Sequence, residues 1–333
     1  MESRVSGDNE TSKALKAALG KASHPVYAVL DGAKFDNLPD LLFDHDFSHK
    51  PLYQDMGSEI REIAQTTPQF IRFDKWAYWE NDLTPAQRLD ALLELFDDTS
   101  AAVFWEYKGE PKRLFRHLRT INNVMIPRDA DTPPLPDPLD PNGETYGNTA
   151  THQQVLFRHA DANVMAQVLP CLSDPQITRV MGPASGLIFA PDPEWAAGED
   201  IMTVTNPKDT YNARHPLKLN NPDMDRIENR RLNGIRRQIA LYLRKYAPNE
   251  TKLLGNDALM DQVIYAENVG NKIGFKDHSS FELFTLLGVL TKGEIFKNKQ
   301  VLRDLEDRYL PDKKIESVFE NHASIPVPKQ ETP

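Results

Sequence analysis

Few side chains in this 333-residue chain have the type and spacing that chemistry needs. His45 and His49 stand four apart in Asp44-His45-Asp46-Phe47-Ser48-His49, which would put two imidazoles on one face of a helix. A metal site needs further ligands, and no His-Glu-x-x-His pattern supplies them, so the pair reads as a solvated helix end. Asp140-Pro141-Asn142-Gly143-Glu144 has the composition of a calcium loop. With Gly143 as the sixth position, Pro138 and Thr149 fall where the loop needs Asp and a bidentate Glu, so the segment reads as a polar turn. Cys171 lies in the apolar Leu169-Pro170-Cys171-Leu172, with no base or cation beside it to make a thiolate, and reads as a buried inert thiol. Gly182-Pro183-Ala184-Ser185-Gly186 lacks the Lys-Ser/Thr of a phosphate loop, and no Gly-x-Ser-x-Gly elbow occurs. The sequence therefore predicts no catalytic residue, no metal and no cofactor.

Two stretches could instead make a binding surface. Between Asp225 and Lys245 stand Arg226, Arg230, Arg231, Arg236, Arg237, Arg244 and Lys245 against Asp225 and Glu228. Ile227, Ile235, Ile239, Tyr242 and Tyr246 form the apolar stripe of the same helix. The basic face is either a solvated helix face that pairs with acidic residues of the other lobe or a docking face for an acidic partner protein. Trp76-Ala77-Tyr78-Trp79 is the densest aromatic cluster. It reads as core by default, and Trp76 and Trp79 become binding anchors if exposed.

The elements that must position these residues alternate in the first half. Pro25-Val26-Tyr27-Ala28-Val29-Leu30, closed by Asp31-Gly32, is a buried strand and turn. Thr84-Pro85-Ala86-Gln87 is a capping box ahead of Leu89, Leu92 and Leu93. Ala101–Trp105 is a further strand, and Leu114, Phe115, Leu118 and Ile121 share a helical face. Six prolines between Pro127 and Pro141 exclude regular structure there. After Asp225 every period is helical, with a capping box expected at Ser279-Ser280-Phe281-Glu282. The fold class predicted is an α/β N-terminal lobe, a mixed sheet with flanking helices, plus an all-α C-terminal lobe. The boundaries are a polar segment 1–23, an α/β domain 24–190 with a Pro-rich loop at 127–141, a connector 191–222, a helical lobe 223–322 and a frayed tail 323–333.

Composition narrows the function. Asp plus Glu is 49 against 39 Lys plus Arg, so the net charge of −10 disfavours generic binding to nucleic acid. One cysteine permits neither an internal disulfide nor a Cys-based zinc site. Met1–Asp8 has no apolar leader, and no apolar run approaches a membrane span, so a cytoplasmic protein is expected.

Several segments then fall, in order, on one set of motifs. Val26–Ala33 matches an opening strand Y-A-x-L-D-G-A, Pro51-Leu52-Tyr53 a P-L-Y element, and Thr67–Ile71 a P-x-L-V strand. Leu114–Arg119 matches L-x-x-H-L-R, Phe157-Arg158-His159-Ala160-Asp161 falls on F-R-F-Y-D-P-R-V, and Met181-Gly182-Pro183 on F-G-P. Tyr265-Ala266 through Ile273-Gly274-Phe275, then Leu286-Leu287-Gly288, follow A-x-x-x-G-I and L-x-x-G-x-x-F loosely. In this order, over roughly residues 25–305, the chain resembles the type VI secretion effector adaptors, the Tap or TEC chaperones. Asp161-Ala162-Asn163 stands where that family has Asp-Pro-Arg, so its proline and arginine have no counterpart here.

The resemblance implies a non-enzymatic adaptor in the donor cytoplasm. Its partners would be a toxic effector and the VgrG spike, with no nucleic acid and no membrane. The motif residues Leu30, Asp31, Arg158, Asp161 and Gly182 are then structural, Asp161 as a helix cap. A cleft between the lobes, with the arginine helix at its rim, is the expected place for cargo. The alternatives are an enzyme of unrecognised mechanism using Cys171 or His/Asp groups between the lobes, or a nucleic-acid-binding module acting through residues 226–245.

Overall fold

The computed structural model describes residues 10–53, 65–76, 83–95, 99–128, 151–196, 200–208, 216–306, 311–323 and 325–328. The chain divides into two compact units, Met1–Arg230 and Arg231–Pro333. In order, the first holds α1 (Glu10–Leu19), β1 (Val26–Leu30), α2 (Leu38–Asp44), β2 (Phe47–Pro51), β3 (Gln69–Trp76), α3 (Pro85–Glu94), β4 (Ala102–Glu106) and α4 (Pro111–Arg119). β5 (Asn123–Pro127), β6 (His152–Leu156), α5 (Ala162–Val168), α6 (Asp174–Met181), β7 (Gly186–Phe189), α7 (Pro193–Ala196), β8 (Met202–Thr205) and β9 (Leu217–Lys218) follow.

Six strands form one sheet in the order β2-β3-β1-β4-β7-β8, with every neighbour antiparallel. A second sheet, β6-β5-β9, is mixed: β5 pairs antiparallel with β6 and parallel with β9. β1 is apolar throughout because both of its faces are covered. Tyr27 and Val29 enter one core with Phe70, Val103, Trp105 and Leu187. Ala28 and Leu30 enter the other with Ile71, Phe104 and Ile188. Helices α4, α5 and α6 cover the first face through Leu118, Met165 and Val180, and α1, α2 and α3 cover the second through Leu15, Leu42 and Leu92. At α3 the expected capping box forms: the Gln87 N–H donates to Thr84 Oγ1 at 3.3 Å, and the Thr84 N–H to Gln87 Oε1 at 2.8 Å.

Three expected boundaries shift. Leu15 of the segment read as polar is fully buried, so α1 belongs to the fold. The stretch 191–222 is more than a connector, since β8 pairs with β7 as a sheet edge and β9 completes the second sheet. Residues 223–230 also belong to the first unit, where Met224 and Ile227 pack on the first core.

Helix α8 (Asn221–Tyr246) runs across the division, and α9 (Pro248–Thr251), α10 (Asn256–Ile273), α11 (His278–Leu290), α12 (Lys299–Leu305) and α13 (Pro311–His322) complete the second unit. Its core gathers Leu243, Val263, Ala266, Phe284, Leu287 and Phe319. α11 starts one residue before the expected cap, with Asp277 as its N-cap residue, and Glu282 pairs with His278 at 3.3 Å. Ile325 and Val327 pack on this core, so the tail is docked where it is described. An α/β unit is thus followed by an all-helical one, as the sequence predicts.

Two histidines lie inside the first core. His117 Nε2 donates to the Val180 carbonyl at 2.8 Å. His159 Nε2 donates to Asn122 Oδ1 at 2.9 Å, and Asn122 Nδ2 donates on to the Leu52 carbonyl at 3.2 Å. Burial pushes the His117 pKa down to about 4, against the Val180 hydrogen bond. Burial, joined by the neighbouring His117, pushes His159 down to about 3. Both are neutral in the folded state while the unfolded chain takes up protons below its own histidine pKa, so stability falls as the pH falls through that value. Between about pH 6.5 and 5 each histidine is expected to cost roughly 1–2 kcal/mol. Urea unfolding at several pH values should show this slope, and His117→Gln, which keeps an N–H donor, should flatten it; an unchanged slope contradicts the assignment.

Candidate functional site

The first unit brings Asp31 of one motif to Arg158 and Asp161 of another. β1 delivers Asp31 just beyond its last residue, where the Asp31 N–H donates to the Ala101 carbonyl at 2.9 Å and Asp31 Oδ1 accepts from the Ala33 N–H at 3.2 Å. Arg158, just past β6, donates through Nη2 to the other Asp31 oxygen and pairs with Asp161 Oδ2 at 3.3 Å. Asp161 caps α5, its Oδ1 accepting from the N–H groups of Asn163 at 2.8 Å and Val164 at 3.3 Å. Both carboxylates are buried. Such groups are tolerated only when their charge is matched and their lone pairs are filled. Arg158, with Lys34 acting on Asp161, supplies the charge, and the backbone amides supply further donors.

Tyr53, of the P-L-Y element, and Lys34, which donates to Ser100 Oγ, complete the cluster. Burial and then the Asp31 carboxylate hold the Tyr53 phenol above its ordinary pKa, with Arg158 opposing. Burial raises Asp161, while Lys34 and Arg158 pull it back. Burial is the largest single influence on Arg158 and acts to lower it, but Asp31, Asp161 and Tyr53 together outweigh it, so its pKa stands above the ordinary value. The result is a fixed electrostatic clasp between the end of β1 and the start of α5. Leu30, in the core on the strand side, anchors it. Gly182 lies apart from the clasp, ending α6 at φ +57, and a Cβ there would stand 2.3 Å from the His117 ring.

The arginines of α8 are tied down within the chain. Arg226 Nε donates to the Cys171 carbonyl at 3.0 Å, and its Nη2 pairs with Asp223. Arg230 Nε donates to the Ala166 carbonyl in the last turn of α5 at 2.6 Å. In the second unit Arg236 Nε pairs with Glu267 at 2.6 Å, and Arg231 and Arg237 also have partners. Arg244 donates to the carbonyls of Thr251 and Leu254. The basic run is thus divided between backbone carbonyls and carboxylates: pairing with acidic residues is one of the expected readings, whereas donation to the carbonyls is in neither. Trp76 closes β3 along the backbone, while its side chain and Trp79 lie outside the described residues, as does the Pro-rich loop from residue 129.

His45 ends α2, Asp46 turns the chain at φ +59, and His49 lies in β2 with Nδ1 2.9 Å from the Phe47 carbonyl. The two imidazoles therefore share no helix. Cys171 donates to the Gln167 carbonyl at 3.3 Å, and burial raises its pKa against the pull of Arg230 and Arg226, which keeps it a thiol. Among the described residues no group of three His, Cys, Asp or Glu side chains is placed to hold a metal, and no helix is long and apolar enough to cross a membrane.

The second unit carries a pocket of about 560 Å³ that the sequence did not single out. Tyr265, Val289 and Phe296 line it, with Glu250, Asp261 and Lys292 among its charged residues. Tyr265 and Gly288 fall within loosely matched motif segments, which was the available signal. No protein-family model matches the chain, and no curated protein or solved structure matches it.

Arg158→Met is expected to cost about 2–3 kcal/mol, below the ~3–5 of a fully buried pair because its side chain is 42% exposed. A double-mutant cycle with Asp31→Asn, read by urea unfolding, should give a coupling of about 1–3 kcal/mol; additivity contradicts the clasp. Gly182→Ala, strained at positive φ and forced against His117, should lower stability by about 2–4 kcal/mol in the same assay.

Proposed function

We propose that this protein is a non-enzymatic adaptor that binds a type VI secretion effector in the cytoplasm of the donor bacterium and helps load it onto the VgrG spike. The reading rests on the motif resemblance. Its main support is that Asp31 of one motif meets Arg158 and Asp161 of another, up to 130 positions away, in one clasp. Chance matches scattered along a sequence have no reason to converge on a shared set of ion pairs. Residues that a fold needs at one point do. The role of the motif residues is then to hold the α/β unit together, and cargo is met elsewhere. The state of Cys171 fits the same reading, since a thiol held protonated does not serve as a nucleophile.

The expected result is a stoichiometric complex with a VgrG-like spike or one large toxin. It should be recovered when the tagged protein is purified gently from a type VI-competent bacterium after nuclease treatment and its partners are identified by mass spectrometry. Recovery of the protein alone, from cells shown to make both partners, overturns the proposal. A complex that dissolves on nuclease treatment points to nucleic acid instead.

A further inference from the structure

The pocket of the helical unit has a construction that the clasp lacks: an apolar floor open to the surface and a mouth of both charges. Its floor is built by a tight reversal after α11. Lys292 and Gly293 take positive φ, +52 and +82, and the Gly293 N–H donates to the Gly288 carbonyl at 2.7 Å. The returning segment lays Phe296 over Gly288, where a Cβ would stand 2.1 Å from the ring. Phe296 meets the fully buried Phe284 edge-on at 5.1 Å and Tyr265 at 5.3 Å. The ring stack thus runs from the core to a tyrosine that is 53% exposed. Next to the lining residue Leu254, Leu253 is 93% exposed. Glu250 and Asp261 come from α9 and α10, whereas Lys292 comes from the reversal. Among the described residues none of the three makes an ion pair.

We propose that this pocket is a docking site for a peptide segment of a partner protein. That segment carries one bulky apolar side chain, seated on Tyr265 and Phe296, with an acidic residue toward Lys292 and a basic residue toward Glu250 and Asp261. The inference rests on the adaptor reading only in taking the occupant to be part of a partner protein. The exposed Leu253 stands one residue from the lining Leu254, and charges of both signs lie on two helices and the reversal around the ring floor, a spread that a chain matches better than a small molecule does. The unpaired charges of opposite sign give the segment a direction.

The test is selection of peptides from a random display library on the purified full-length chain. Enrichment of an apolar or aromatic anchor flanked by one acidic and one basic residue is expected. Affinity for a selected peptide should fall about tenfold or more in Tyr265→Ala, a partly exposed position whose loss leaves the core intact. Lys292→Glu should exchange the preferred acid for a base. No enriched anchor, or peptides indifferent to both variants, overturns the inference while leaving recovery of effector and spike to judge the adaptor reading. A dimer by light scattering that Tyr265→Ala dissociates would make a second copy of this chain the occupant, and would also overturn it.

Discussion

Two carboxylates buried at the end of a central strand are a liability that one guanidinium turns into a joint. Arg158 is the group on which the α/β unit depends in this sense. Without it, Asp31 and Asp161 would be two buried carboxylates with Lys34 left to offset the charge on Asp161. The joint is also positional. Asp161 spends one oxygen on the first amides of α5 and the other on Arg158, so the start of that helix is fixed to the end of β1. The last turn of α5 offers the Ala166 carbonyl to Arg230, and the segment after it offers the Cys171 carbonyl to Arg226. The first turns of α8 are therefore placed, through α5, by the same clasp.

That dependence changes the meaning of the arginine-rich helix. Seven basic residues in an acidic chain look like a surface made for a partner, because sequence shows charge but not where hydrogen-bond donors go. A guanidinium has five donors and carries its charge into half-buried positions when helix-end carbonyls, themselves short of partners, accept from it. Arg226, Arg230 and Arg244 each do this. Arginine is suited to it where lysine is not, since the fixed fork spans two carbonyls at once, as Arg244 does with Thr251 and Leu254. A binding surface has to be sought among charges the chain has not already used.

What could be read from the residues follows the range of the forces involved. The apolar run of β1, the Thr84–Gln87 cap and the helical periods after Asp225 are local patterns, and each became the element expected. β9 escaped the reading because it is two residues long within a stretch rich in Pro, Asn and Asp, where only residues 201–205, the site of β8, read as a possible strand. The antiparallel order of the large sheet depends on which strands meet, and no local period records it. Arg158 and Asp31 are 127 positions apart, so their pairing had no signature beyond lying in separate motifs. Tyr53 was visible only as one letter of such a motif. Gly288, inside a helix apolar on nearly every side, was the best missed sign, because a glycine there costs helix stability unless something packs against it.

The two units also divide the physical work. The clasp satisfies its own charges inward, and its rigidity leaves little for a ligand to gain. In the helical unit the order is reversed: the floor is satisfied by ring contacts reaching down to Phe284, while the charges at the mouth are left open. A preformed apolar floor lowers the ordering cost of association, and unpaired charges at a solvated rim keep their attraction without a heavy desolvation penalty. Binding energy and orientation can then be set by different residues, Tyr265 and Phe296 for the first and Lys292 with Glu250 and Asp261 for the second. A surface of that kind can change its partner by exchanging rim charges while Phe296, packed on the core at Phe284, stays as it is.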